Sequence, residues 1–445
     1  MRRTLLSVLL TACLAASPVA FAQDAVPATP AAIAAQALDH LDAGQYAQVE
    51  QLFGAQMAAA VPEDKLKAVW ESLPGMVGAA TGRGEAQTAE QNGATLVTIP
   101  LHFEKGEMLA KFAFDGEGKI VGFLIQPAST AEAVPPVAAD APFTEQDVSV
   151  GDGERALPGT LAMPKGDGQA PAKLVPAVVL VHGSGPQDRD ETIGPNRPFL
   201  DIARGLAAQG IAVLRYEKRT KARPQDFASG EFTIDDETTN DAVLAVEALR
   251  HVQGVDPDHI FVLGHSQGGM MAPRIAAVSG HVDGLILLAA PSRSLLDIVI
   301  EQNRRLAALN DGKIDDAERA AIAALTDQVR QARDPQTAAT TATLLGQPAG
   351  YWRSVDAVNP VAEAAQVKLP MLILQGARDI QVVDADWQNW REAFHSDPKV
   401  TFKLYESLNH LGITGEGDGS LAEYQQPGHV DASLIQDVAE WIKAH

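Results

Sequence analysis

The sequence predicts an α/β protein in which a doubly wound, mostly parallel sheet follows a smaller α+β domain. Short, uninterrupted apolar runs recur after residue 144, as expected for strands that are buried on both faces. Helical stretches, such as residues 200–208 and 236–253, separate these runs. Alternating strands and helices imply right-handed crossovers and therefore parallel strands. The runs are residues 178–181, 212–214, 260–263, 285–288 and 371–374.

The first residues have the pattern of a secretory signal. Two arginines in residues 1–3 precede the mostly apolar residues 4–16, and Ala20 to Ala22 form a small-x-small cleavage site. The apolar run is shorter than the roughly 20 residues that a membrane-spanning helix needs. We therefore expect cleavage after Ala22, a periplasmic or secreted protein, and no stable membrane insertion. Lipidation at Cys13 is the alternative, although the residues after it stay apolar where a polar tether is expected.

Composition excludes several kinds of chemistry. Cys13 is the only cysteine and lies in the signal, so the processed chain has no thiol for disulfides, catalysis or metal binding. The net charge of −22 is spread along the chain and repels phosphate backbones, so a nucleic acid partner is not expected. No residue spacing is typical of a metal site, and no cofactor is implied.

Two segments rich in proline and alanine, residues 23–30 and the predicted linker 127–143, bound the small domain at 31–126. Its first half has apolar residues at helical spacing on three segments, and its second half alternates with a period of two. It contains no cluster of catalytic side chains. An accessory role is therefore expected, and formation of a homodimer, shielding of a site and substrate binding all stay open. The predicted strands are residues 96–99, 108–114 and 120–125.

Ser266 is the predicted nucleophile. It lies in the motif Gly-His-Ser-Gln-Gly, residues 264–268, directly after the apolar run 260–263. A strand that feeds such a turn lifts the serine hydroxyl clear of the sheet edge. The flanking glycines are needed because the turn is strained and a Cβ atom beside it would clash.

The loop after the run 178–181 is the predicted oxyanion loop. It reads His-Gly-Ser-Gly-Pro over residues 182–186. Acyl transfer needs donors aimed at the developing oxyanion, and a glycine-rich loop after a strand supplies one such N–H beside the one that follows the nucleophile. The backbone amides of Ser184 and Gln267 are the candidates, with Gly183 as the neighbouring option and a plain turn as the alternative.

The candidate acid is Asp379, which follows the strand-like run 372–374. An aspartate there can orient and stabilise a histidine without itself exchanging a proton. Asp384 and Asp386 lie a few residues further on and are the alternatives.

The candidate general base is His410, in the loop after the strand-like run 400–405. His429 competes, but it precedes the terminal helix and does not follow a strand. His182, His259 and His265 are expected to be structural. The candidates Ser266, Asp379 and His410 occur in the chain order nucleophile, acid and base that this type of sheet imposes.

An insertion of about 80 residues without strand signal separates the apolar runs 285–288 and 371–374. Its helical stretches, about residues 295–358, are predicted to form a cap over the site, with a surface appendage as the alternative. Tyr351 and Trp352 near its end are candidates for substrate binding, and equally for core anchors. Two charged runs, residues 188–191 after the oxyanion loop and 216–219 after a strand, are predicted to be solvated loops with internal ion pairs. Binding of a substrate or a metal is the alternative.

The motif at residues 182–185, the Gly-His-Ser-Gln-Gly-Gly motif at 264–269, Asp379 and His410 together resemble the α/β-hydrolase superfamily over residues 144–445. The form with a helical cap is similar to cinnamoyl and feruloyl-type carboxylesterases and to serine aminopeptidase-like hydrolases. The whole layout resembles secreted bacterial hydrolases with a small N-terminal domain of unknown function. The resemblance implies Ser266 as nucleophile, Asp379 as acid, His410 as base, and Ser184 and Gln267 as oxyanion donors.

We therefore expect a serine hydrolase of carboxylesterase type that acts on small-molecule esters with small to medium acyl groups. An aminopeptidase or oligopeptide hydrolase with the same triad is the alternative. It would be favoured by an acidic pair that grips a free amino terminus, for which Glu191 or Glu217 could serve. A non-catalytic binding protein on a hydrolase scaffold is a third possibility, which the intact triad disfavours.

Overall fold

The computed structural model describes residues 29–91, 94–104, 106–127, 134–166, 174–311 and 313–445. The chain divides into two compact units, Met1–Ala128 and Ser129–His445. The predicted signal sequence and Cys13 lie outside the described residues. No helix in the described parts of the chain is long and apolar enough to cross a membrane.

The first unit packs short helices against one face of an antiparallel sheet of order β1-β3-β4-β5, with β2 also paired to β3. The described residues form four helices where three helical segments were predicted, because the chain breaks at Phe53 and Gly54. They also form two strands, β1 and β2, that the apolar pattern did not indicate, since β1 is largely exposed. The elements are α1 Pro30–Asp42, α2 Tyr46–Leu52, α3 Ala55–Ala60, α4 Glu63–Val77, β1 Ala80–Arg83, β2 Gln87–Gln91, β3 Ala94–Phe103, β4 Gly106–Phe114 and β5 Ile120–Pro127.

The second unit is built on an eight-stranded sheet of order β13-β12-β11-β10-β8-β9-β7-β6. The strands from β8 to β13 pair in parallel, and β7 and β6 add an antiparallel edge. The five predicted apolar runs lie in β8 to β12, so the predicted α/β fold is confirmed. The strands are β6 Phe143–Val150, β7 Leu157–Pro164, β8 Val175–Val181, β9 Ala212–Tyr216, β10 Val255–His265, β11 Gly284–Leu288, β12 Met371–Gly376 and β13 Val400–Tyr405.

Helices cover both faces of this sheet, which explains why its strands are apolar throughout. Along β10, Ile260 and Val262 belong to the core on one face, whereas Phe261 and Leu263 belong to the core on the other. All four are fully buried. The helices are α5 Pro198–Ala207, α6 Arg219–Ala222, α7 Asn240–Arg250, α8 Gln267–Ser279, α9 Leu295–Asp311, α10 Asp316–Arg333, α11 Ala349–Asp356, α12 Pro360–Val367, α13 Asp384–Phe394 and α14 Ala432–Ala444.

The insertion between β11 and β12 is helical. Helix α9 ends at Asp311 and α10 begins at Asp316. Asp315 caps α10: its side chain accepts from the Glu318 amide, and the Glu318 side chain accepts from the Asp315 amide. Helices α9 and α11 both contribute side chains to the cavity described below.

Candidate active site

Ser266 occupies a sharp turn between β10 and α8. Its φ of 53° and ψ of −122° are strained for a residue with a side chain. A Cβ atom on Gly264 would lie 2.2 Å from Gly268 O, and one on Gly268 would lie 2.1 Å from Val181 O. Both positions therefore require glycine, as the motif predicts. The Ser266 amide donates to Leu288 O at 2.9 Å, which ties the turn to β11.

His410 and Asp379 form a buried pair. Nδ1 of His410 lies 2.7 Å from Oδ2 of Asp379, and both side chains are almost fully enclosed. Oδ1 of Asp379 accepts from the amides of Gln381 and Val382, at 2.7 and 3.0 Å. The side chain of Gln375 donates to Oδ2 at 3.2 Å. These donors stabilise the carboxylate and fix its orientation toward the imidazole.

The alternative acids and the alternative base are engaged elsewhere. The fully buried Asp386 accepts from the Ser292 amide at 2.9 Å and pairs with Arg293 at 2.7 Å. Asp384 accepts from the side chain of Gln388 at 3.1 Å. The exposed His429 contacts Asp201 at 3.1 Å. The structure therefore places Asp379 and His410 together and the alternatives apart from them.

The loops that carry Ser266 and His410 meet through His265. Nε2 of His265 donates to the backbone oxygen of His410 at 2.9 Å, and the two rings lie 4.7 Å apart. Ser266 follows β10, Asp379 follows β12 and His410 follows β13, so all three lie at the carboxyl ends of parallel strands. Ligands bind at this edge in doubly wound sheets.

The predicted oxyanion loop lies against Ser266, since a Cβ atom on Gly183 would be 3.2 Å from the Cβ atom of Ser266. The Gly183 amide donates to Oε1 of Glu191 at 2.6 Å and is therefore already engaged. Gln267 is the first residue of α8, where an amide has no partner within the helix. Because the Gly183 amide is engaged, the amides of Ser184 and Gln267 are kept as the candidate donors.

The charged run at residues 188–191 is not the solvated loop that the sequence predicts. Glu191 is only 1% exposed, and its carboxylate binds the Gly183 amide and, at 2.9 Å, Nδ1 of His265. Asp190 is also buried and accepts from Nε of Arg215 at 2.7 Å. The prediction was wrong because these partners come from distant parts of the chain, and local sequence does not show them.

The charged run at residues 216–219 was also predicted to be a solvated loop, and this prediction was wrong as well. Lys218 is 2% exposed and pairs with Glu237 at 2.7 Å, while Arg219 pairs with Asp241. Nζ of Lys218 also contacts Gly183 O at 2.8 Å, within the predicted site. The sequence feature that could have pointed to Lys218 is its position shortly after β9, at the edge of the sheet where ligands bind.

His265 and Glu191 perturb each other electrostatically. Burial lowers the pKa of His265, but the carboxylate of Glu191 and the two hydrogen bonds outweigh burial, so the pKa of His265 is raised above 6.5. Burial raises the pKa of Glu191, yet the charge and hydrogen bond of His265 outweigh it, so that pKa is lowered. Both ring nitrogens of His265 face acceptors, which is the arrangement of an imidazolium. Burial also lowers the pKa of His182 to about 4.

A cavity of about 510 Å³ opens in front of Ser266. Tyr351 and Trp352 line it and also belong to the buried core. The hydroxyl of Tyr351 donates to Oε2 of Glu237 at 2.5 Å, and Nε1 of Trp352 donates to Leu344 O at 2.7 Å. Further apolar members of the wall are Pro186, Phe227, Phe232, Leu295, Ile298, Val299 and Val382.

No group of three or more metal-binding side chains occurs among the residues that the structure describes.

Comparison with known proteins identifies both parts of the chain. Residues 34–123 match a family of proteins of unknown function, DUF3887, and residues 175–417 match the serine aminopeptidase S33 family. Esterase EstD of Thermotoga maritima is 33% identical over 406 residues, which cover 91% of this chain and 93% of that protein.

Two solved structures are also similar. Est1E from Butyrivibrio proteoclasticus is 15% identical, with 67% of this chain and 99% of that chain covered and a TM-score of 0.42. A puromycin-hydrolyzing peptidase of Mycobacterium tuberculosis is 16% identical, with 82% of this chain and 48% of that chain covered and a TM-score of 0.45. The match over residues 175–417 and the likeness to EstD along nearly the whole chain agree on one assignment. The chain is a hydrolase that belongs to the serine aminopeptidase S33 family of α/β-hydrolases.

Proposed function

We propose that this chain is a serine esterase that cleaves carboxylic esters with small to medium acyl groups. The observation that supports this most is the cavity in front of Ser266, whose described lining is neutral except for Glu237. That carboxylate is paired with Lys218, so the wall presents no uncompensated charge to a substrate. Such a cavity suits an uncharged acyl group, and the likeness to EstD, which is named an esterase, points the same way.

In the proposed reaction, each candidate side chain has one role. His410 takes the proton of Ser266 while Oγ forms a bond to the ester carbonyl carbon. The carbonyl oxygen becomes an oxyanion that accepts from the amides of Ser184 and Gln267. The bond to the alcohol then breaks, and the alcohol leaves with the proton from His410. Water, deprotonated by His410, attacks the acyl-enzyme and releases the carboxylic acid and free Ser266.

Asp379 supports both halves of this reaction without exchanging a proton. Its hydrogen bond to Nδ1 of His410 holds the ring in the tautomer that leaves Nε2 free for the serine proton. The carboxylate also stabilises the imidazolium that forms each time His410 accepts a proton.

The residues suggested for an aminopeptidase are engaged in other contacts. Glu191 is enclosed behind the oxyanion loop, bound to Gly183 and His265. Glu217 pairs with Arg189 at 2.9 Å. Neither carboxylate is available to hold a free amino terminus, which supports an esterase over an aminopeptidase.

We also propose that the protein acts outside the cytoplasm. The proposal is supported by the basic residues, the apolar run and the small-x-small site of residues 1–22. Cell fractionation, with N-terminal sequencing of the processed chain, tests it. A start at Gln23 in the periplasm or medium is expected, and an intact Met1 in the cytoplasm would contradict it.

The proposed activity is tested with p-nitrophenyl esters from acetate to laurate, assayed beside Ser266→Ala and His410→Ala. The matched control is His429→Ala, which removes a histidine that lies outside the site. We expect a maximum at one acyl length, loss of about 10⁴-fold or more in both site variants, and an unchanged control. If the wild type turns over aminoacyl-anilides and no ester, the enzyme is a peptidase.

A further inference from the structure

Lys218 lies under the candidate active site with its charge fully enclosed. Its Nζ atom contacts three groups, Gly183 O at 2.8 Å, Gln267 Oε1 at 3.2 Å and Glu237 Oε1 at 2.7 Å. Two of these belong to the segments that carry the candidate oxyanion donors. We propose that Lys218 is a positioning residue that orients both oxyanion donors, an inference that rests on the proposed serine hydrolase chemistry.

The first donor is oriented through a single peptide group. Gly183 C=O and Ser184 N–H belong to one planar trans peptide and point in opposite directions. When Lys218 holds the carbonyl oxygen, the Ser184 N–H points away from Lys218. Ser184 and Ser266 both line the cavity. A cationic donor on the carbonyl also polarises the peptide and strengthens the N–H on its other side.

The same loop is held at its other end by a charge of opposite sign. The Gly183 amide donates to Glu191 at 2.6 Å, while the Gly183 carbonyl accepts from Lys218. Both peptide groups of this residue therefore have fixed, buried, charged partners. Preorganised donors are effective in catalysis because they need no reorganisation as the oxyanion forms.

The second donor is fixed through a side chain. Gln267 is 1% exposed, and its Oε1 atom faces Lys218 while its Nε2 atom lies 3.4 Å from the hydroxyl of Tyr351. Both ends of the amide are thus anchored. Because Gln267 is the first residue of α8, an anchored side chain also limits movement of the backbone N–H directed at the oxyanion.

Glu237 closes the network. It pairs with Lys218 through Oε1 and accepts from the hydroxyl of Tyr351 through Oε2. It lies in a π-helical turn, Asp235–Thr239, an irregularity that often occurs at functional sites. Burial raises the pKa of Tyr351 well above 10, and Glu237 raises it further, so the phenol stays protonated and donates.

A buried ion pair is weak evidence for a purely structural role. Replacing such a pair by apolar side chains is often neutral or stabilising, because desolvation offsets the attraction between the charges. Lys218 also contacts both segments that carry the candidate oxyanion donors. These contacts favour a role in the site over a role in stability alone.

The test compares two matched double variants. In Lys218→Met with Glu237→Gln, both charges leave together, so no unpaired charge stays buried. The control is Arg219→Met with Asp241→Asn, which removes the neighbouring buried pair, 2.5 Å long, outside the site. Thermal unfolding of both variants gives the loss of stability in each.

The first readout is the rate at which Ser266 reacts with a small fluorophosphonate, a reaction that also places negative charge on an oxygen in the oxyanion hole. We expect the site variant to react about 10²-fold more slowly, while the control changes by less than about twofold. The second readout is ester turnover, with active sites counted by burst titration. We expect kcat to fall by a similar factor and KM to change by less than about threefold. The proposal is overturned if the site variant and the wild type react at equal rates. It is also overturned if both double variants lose reaction rate by the same factor.

A further variant covers the case in which the double variant does not fold. Gln267→Met keeps the backbone donor but removes the side-chain contacts with Lys218 and Tyr351, so slower phosphonylation is expected and an unchanged rate contradicts the proposal. The fluorophosphonate also separates the two hypotheses. If wild-type Ser266 reacts with it but hydrolyses no ester, the esterase proposal fails while Lys218 is still tested. If Ser266 does not react with either reagent, both proposals fail.

Discussion

Nδ1 of His410 donates to Oδ2 of Asp379 across 2.7 Å, in a place where both side chains are almost fully enclosed. Asp379→Asn keeps the shape of the acid but presents an amide that favours the wrong imidazole tautomer. We expect kcat to fall by about 10⁴ with little change in KM or thermal stability. Steady-state kinetics with a p-nitrophenyl ester measures this. The same change at Asp384, which is outside the site, serves as the control, and equal rates for Asp379→Asn and wild type would remove Asp379 from the mechanism.

His182 should make the protein sensitive to acid. Its pKa is about 4 in the folded chain because burial disfavours the charged ring, against 6.5 when exposed. Below pH 6.5 the unfolded chain binds a proton that the folded chain excludes, so stability falls as the pH drops from 6.5 toward 4. The loss amounts to about 3 kcal/mol. Urea unfolding at pH 7 and pH 4 should show this loss in the wild type and a correspondingly smaller one in His182→Phe; identical pH dependence in the two would refute the assignment.

The pair formed by His265 and Glu191 should stabilise the fold within a window of pH. The raised pKa of His265 gives stability that is complete below 6.5 and is lost as the pH rises through the folded value. The lowered pKa of Glu191 gives stability that is complete above 4.5 and is lost as the pH falls through its folded value. A double-mutant cycle with His265→Gln and Glu191→Gln should therefore show its largest coupling energy between those two folded values. A coupling energy that does not vary from pH 4 to pH 9 would contradict this.

Trp352 should limit the length of the acyl group. It lies on the cavity wall and is 8% exposed, so Trp352→Ala enlarges the space in front of Ser266. We expect the best p-nitrophenyl ester to become longer, with a higher kcat/KM for laurate relative to acetate. Trp390→Ala is a matched control, because its indole also donates to a backbone carbonyl, at 2.9 Å, but it does not line the cavity. That control should lower stability by about 3–5 kcal/mol and leave the dependence of kcat/KM on acyl length unchanged.

Gly268 should tolerate no side chain. A Cβ atom there would lie 2.1 Å from Val181 O and 2.7 Å from His182 O, both backbone atoms that cannot move independently. Gly268→Ala is expected to displace the oxyanion loop from Ser266 and to destabilise the fold by about 4 kcal/mol or more. Gly116→Ala, which meets nothing within 4 Å, should change stability by less than about 0.5 kcal/mol. Calorimetry of the two variants, with activity per folded protein, decides whether the close approach is required.

The buried parallel strands and the places of the candidate triad could be predicted because each depends on a short stretch of sequence. An uninterrupted apolar run marks a strand covered on both faces, and the residue that follows it lies at the edge where ligands bind. Ser266, Asp379 and His410 are all positioned in this way, so local patterns were sufficient to nominate them.

The charged residues beneath the site could not be predicted in this way. Glu191, Lys218 and Glu237 are charged residues, and charged residues are normally solvated. What buries them is the presence of partners far along the chain, such as His265 for Glu191 and Gln267 for Lys218. The edge strands β6 and β7 were missed for a related reason, since an antiparallel edge lacks the continuous apolar run of the central strands.

The bond from Tyr351 to Glu237 ties helix α11 to the floor of the site. Because Tyr351 and Trp352 are both anchored in the core, the inner part of the inserted helices cannot swing away as one rigid lid without breaking buried contacts. Substrate is therefore expected to reach Ser266 without displacing helix α11. Turnover of dissolved esters should accordingly start without a lag, and an oil–water interface should bring no sudden rise in rate.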